Sequence, residues 1–122
     1  MTAPETSPRR LKALAFTVSL AVYVGAGYWL QVQHGFILGD ALSRVQSAQT
    51  VLHSREPHLA AIGFIFTPLT ALLQLPAVYF SPIWPALTKY AFAGTLMSAP
   101  FMSGAVVQIM SCLLYTSDAA DE

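Results

Sequence analysis

Gly35–Pro57, GFILGDALSRVQSAQTVLHSREP, is the one polar island between long apolar runs. It holds Asp40, Arg44, Arg55 and Glu56, with His53 inside it and His34 and His58 at its flanks. Ala41, Val45, Ala48 and Leu52 recur at helical spacing, with Leu42 and Val51 beside them; Arg44, Ser47 and Thr50 lie elsewhere around the helix. This pattern predicts a short amphipathic helix over about residues 40–53, lying on the outer face of a bilayer. Pro57 closes the segment, because the residue before a proline is pushed out of the helical region.

What flanks the island sets the fold class. Apolar residues make up 55% of the 122 positions and charged residues only 10%. About 18 or more consecutive apolar residues suffice to cross a hydrocarbon core roughly 30 Å thick, at about 1.5 Å of rise per residue. Three runs qualify: 13–32, 58–80 and 87–110. The expectation is an all-α integral membrane protein, with three transmembrane helices and a short extracytoplasmic amphipathic helix. Residues 1–12 form a cytoplasmic lead. Arg9, Arg10 and Lys12 precede the first run and predict a cytoplasmic N-terminus in a multi-pass protein of the bacterial inner membrane. The run exceeds the 7–15 residues of a signal-peptide core, which favours an uncleaved anchor over a signal cleaved near Val24-Gly25-Ala26.

Small residues at Gly25, Ala26 and Gly27 allow close helix approach. Pro68 and Pro76 predict a kinked second span. Residues 81–86 read as a cytoplasmic turn stiffened by Pro82 and Pro85, and Gly94 and Ser98 give the third span a small-xxx-small face.

The last eleven residues, CLLYTSDAADE (112–122), resemble the in-frame translation of a transposase-type sequencing adapter, codon for codon. They read as a segment that does not continue the preceding helix and lies outside the native chain. Without them the chain keeps six basic and three acidic residues, because Asp118, Asp121 and Glu122 all fall in this tail. The only cysteine, Cys112, falls there too, so no disulfide chemistry is open to the rest. The expectation is a truncated polytopic protein whose remaining C-terminal helices are its partners.

Asp40 is the candidate for chemistry. A carboxylate just outside the first span can serve as a general base. It can equally cap a helix, since it follows Gly39 and stands four residues before Arg44. Arg44 and Arg55 suit a phosphate, which guanidinium groups grip bidentately, and equally suit lipid headgroups. The spacing of His34, His53 and His58 matches no zinc motif. No glycine-rich phosphate loop, nucleophile elbow or nucleic-acid-binding basic patch is present, so neither a cofactor nor a nucleic acid is expected.

A basic start, one span, an external loop with an amphipathic helix and a proline-containing second span together resemble the N-terminal part of membrane glycosyltransferases of the GT-C fold. This class includes bacterial mannosyl- and aminoarabinosyl-transferases. The stretch GDALSRVQSAQTVLHSREPHLAAIGFIFTPLTALLQLP (39–76) looks like the first external loop and second span of that class. The resemblance implies a polyprenyl-phosphate sugar donor at the outer leaflet and an extracytoplasmic acceptor. Asp40 would be the catalytic aspartate, with Arg44 and Arg55 as phosphate partners. Many members carry a paired acidic motif where this chain has Gly39-Asp40. Proline-kinked spans rich in small residues also suit a transporter or permease, and a non-enzymatic accessory membrane protein would need none of this chemistry.

Overall fold

The computed structural model describes residues 8–63 and 68–120. The lead before Pro8, residues 64–67 of the expected second span (including Phe64 and Phe66) and Asp121 and Glu122 lie outside the described residues. Among those described, the fold is all-helical, with no strand.

The first helix, α1 (Pro8–Gly27), opens on a proline, whose fixed φ and missing N–H suit the first helical position. It runs on as a π-helical segment over Tyr28–Gln33. Here the His34 amide donates to the Trp29 carbonyl at 3.2 Å, five residues back, and the His34 ring stands 4.3 Å from that of Trp29. Gly35, at φ +64°, ends the helix in the left-handed region that glycine adopts without penalty. The 26 residues of Pro8–Gln33 extend about 39 Å. No residue of α1 is buried.

Helix α2 (Gly39–His53) follows, then a 3₁₀ turn (Leu59–Ile62), α3 (Pro68–Tyr79), α4 (Ala86–Lys89) and α5 (Phe92–Ala120). Ala91, buried and at φ +55°, breaks α4 from α5. Helix α5 packs along α1. The end of α1 meets the start of α5: the Tyr28 and Phe92 rings stand edge-on at 5.8 Å, and Thr95 Oγ1 donates to Gln31 Oε1 at 2.8 Å. The two long helices therefore form an antiparallel hairpin. Along α5, Phe92, Ala99 and Ser103 are buried at helical spacing, and Pro100 is held within the helix.

The short helices cap the end of the hairpin where α1 finishes. The core is Val45 and Ala48 from α2, Val78 from α3, Leu87 from α4, and Ala91, Phe92 and Ala93 at the start of α5. Partly buried Val24 and Val32 reach it from the first helix.

The structure bears on three expectations. In the second long apolar run the described residues form the 3₁₀ turn and α3, of 12 residues and about 18 Å, with residues 64–67 between them outside the described residues. Two helices, Pro8–Gln33 and Phe92–Ser117, are long and apolar enough to cross a bilayer. The turn at residues 81–86 packs at the end of the hairpin where α1 finishes. The Trp84 ring packs on Phe92 at 5.4 Å, and Phe92 packs on Tyr28 at the end of α1. Finally, the apolar face of α2 is covered by protein rather than lipid. Val45 and Ala48 have no exposed surface, and α3 is the main helix packed on them.

The tail also differs from its reading. Helix α5 continues through Ser111 to Ala120. Leu113, Leu114 and Ala119 favour helix and no proline or glycine interrupts it. The Ser111 and Thr116 hydroxyls donate to the carbonyls of Val107 and Cys112, each at 2.8 Å.

Two substitutions test the hairpin. A Cβ on Gly27 would collide with the Thr95 side chain, whereas one on Gly25 meets nothing within 4 Å. Gly27→Leu is expected to lower stability by about 2 kcal/mol through overpacking, measured by denaturant titration in detergent micelles, with Gly25→Leu near neutral. Phe92→Ala removes the ring shared by α1, the 81–86 turn and α5. It should cost about 3–5 kcal/mol on the same measurement.

Candidate functional site

The α2 segment positions all three residues singled out from the sequence. Its N-cap is Leu38, with no side-chain cap bond. Asp40 therefore does not cap the helix. It lies exposed within the first turn, where the positive end of the helix dipole favours a carboxylate. Leu38 instead supplies its carbonyl, which accepts from the amides of Ala41 at 3.0 Å and Leu42 at 3.2 Å.

Arg44 is one turn further on and partly buried. Arg55 is exposed beyond the C-cap Ser54. The length of α2 separates Asp40 from Arg55 by about 20 Å. The structure thus keeps Asp40 and Arg44 on adjacent turns and puts Arg55 at the other end of the helix. Ser43, Ser47 and Thr50, between them, donate to the carbonyls four residues back, at 3.0, 3.0 and 2.8 Å.

Arg44 lines a cavity of about 230 Å³ where α2, α3 and α5 meet the end of the first long helix. Its other polar walls are Gln31, Gln74, Thr95 and Ser98. Gln74 is only 3% exposed, and its Oε1 takes no hydrogen bond among the described residues. Gln31 Oε1 accepts from Thr95, which leaves the Gln31 amide N–H groups to donate. Gly94 forms part of the wall, with Gln74 Nε2 at 3.7 Å from where a Cβ would stand. A smaller cavity of about 170 Å³ shares the Gln31 and Ala41 walls and is otherwise apolar, lined by Leu30, Phe36 and Leu38.

This cavity was not read from the sequence, although one feature points to it. Gln74 is the only amide in the apolar run LLQLP, and a polar side chain in such a run needs a partner. Its convergence with Gln31 and Thr95 depends on contacts far apart in the chain.

The histidines do not converge. His34 Nδ1 lies 2.9 Å from the Trp29 carbonyl and His58 Nδ1 2.6 Å from that of Glu56. Among the described residues, no three His, Cys, Asp or Glu side chains are grouped to hold a metal ion. Comparison with protein-family models, curated proteins and solved structures finds no match.

Gln74→Leu tests the cavity wall. Removing a buried acceptor that lacks a partner is expected to leave stability unchanged or raise it by about 1 kcal/mol. Thr95→Val, which leaves Gln31 unsatisfied, should lower it by about 0.5–1 kcal/mol. Both are read by denaturant titration in micelles.

Proposed function

We propose that this chain is the membrane-embedded N-terminal part of a GT-C-like glycosyltransferase. Its N-terminus is cytoplasmic and its helical cap lies at the extracytoplasmic face. The observation carrying this reading is the placement of an exposed Asp40 one turn before a partly buried Arg44, near the end shared by two apolar helices. Asp40 would take the proton of an acceptor hydroxyl. Arg44 would stabilise charge on the departing lipid phosphate. Arg55, about 20 Å away along α2, has no part in this site. A polyprenyl-phosphate sugar fits the reading because such a donor presents its phosphate at the membrane surface. Further helices of a polytopic parent would complete the donor and acceptor cavity, and the segment alone would be inactive.

The orientation draws support from Arg9, Arg10 and Lys12, which cluster before the first apolar helix. Arg44, Arg55 and Lys89 at the cap end match these three in number, so the support is the clustering of the N-terminal charges directly before the apolar helix rather than their count.

A second reading, a transporter fragment, is favoured by the buried Gln74 and the Gln31–Thr95 bond, which form a polar seam between packed helices. The two readings part at Asp40. In the parent reading frame, Asp40→Asn should lower sugar transfer from a polyprenyl-phosphate donor by about 10²–10⁴-fold with helix content unchanged. Full transfer by the variant would exclude Asp40 as the base.

A further inference from the structure

We propose that the cavity between α2, α3 and α5 holds the phosphate headgroup of an anionic bilayer phospholipid. The inference rests on the membrane-embedded reading above and shares Arg44 with the proposed transfer site, so a resident phospholipid would occupy the place of the departing lipid phosphate.

Four observations converge on it. The cavity lies where the first long apolar helix ends and the second begins, the end at which Tyr28 and Trp84 pack on Phe92, aromatic side chains of the kind that settle at the lipid headgroup level. Its walls combine the Arg44 guanidinium with the Gln31 amide and the Ser98 hydroxyl, all suited to phosphate oxygens. Gln74, nearly fully buried, has an acceptor without a partner. That acceptor suits a ligand carrying a hydroxyl beside its phosphate, as a glycerol headgroup does. The adjoining apolar cavity shares the Gln31 and Ala41 walls. Polar and apolar compartments with a common wall match an amphiphile, whose first acyl carbons enter the second while its phosphate fills the first. A free phosphate ion would leave the apolar compartment unused.

The test uses the full chain in phosphatidylcholine nanodiscs doped with phosphatidylglycerol. Native mass spectrometry then counts the lipids retained after detergent release. The expected result is one phosphatidylglycerol per chain, with phosphatidylcholine not retained. Arg44→Gln should lower retention by about tenfold, the loss of one charge-assisted hydrogen bond. Gly94→Leu, which fills the cavity, should lower it as well. Thr95→Val provides a second, milder wall variant should Gly94→Leu fail to fold. Equal retention of both lipids, or undiminished retention by a folded Arg44→Gln, overturns the proposal. Displacement of the lipid by excess inorganic phosphate overturns the lipid assignment in favour of a free anion. Release of the chain from membranes by alkaline carbonate would instead remove the membrane reading itself, which keeps the two failures distinct.

Discussion

The Phe92 ring is the contact on which the arrangement depends. It is 1% exposed and meets Tyr28 at the end of α1's continuation on one side and Trp84 of the 81–86 turn on another. Edge-on aromatic pairs of this kind contribute about 0.5–1.5 kcal/mol each beyond the apolar area they bury. Their larger effect is geometric. They bring the end of one long helix, the start of the other and the α3–α4 connection to one level. The short helices then have nowhere to pack except on that end, and Val45 and Ala48 of α2 close the core.

That geometry determines which groups can meet. Antiparallel packing of α1 and α5 brings Gln31 onto Thr95, and the short α3 brings Gln74 beside Gly94. Arg44 joins them because α2 buries its Val45 and Ala48 face in the same core. Asp40, one turn earlier, is left at the surface. The polar residues of the island thus separate by position along a rigid helix. Asp40 and Arg44 share its first turns, and Arg55 stands beyond its far end.

Much of this was legible in the residues. Long apolar runs predict α1 and α5, and the spacing of Ala41, Val45, Ala48 and Leu52 predicts α2. Periodicity reports that a face is buried but not what covers it, so the α2 stripe reads equally well against lipid or protein. The run from His58 to Phe80 is ambiguous for a related reason. Its prolines are compatible with a kinked span and with a short helix followed by a turn. The cavity residues are distant in sequence, and a lone amide such as Gln74 is their only local mark. In the tail, the adapter-like string of residues 112–122 reads as a break after Ser111, whereas the absence of proline and glycine lets α5 continue to Ala120.

The most direct test of the fold is the sidedness of two exposed positions. In a Cys112→Ser background, Arg55→Cys and Ile83→Cys are labelled separately with a membrane-impermeant maleimide in intact cells and in inverted vesicles. A cap gathered at one end of a two-helix hairpin predicts that both positions react from the same side. Reaction of the two from opposite sides would mean that residues 58–80 cross the bilayer, and would contradict the arrangement around Phe92.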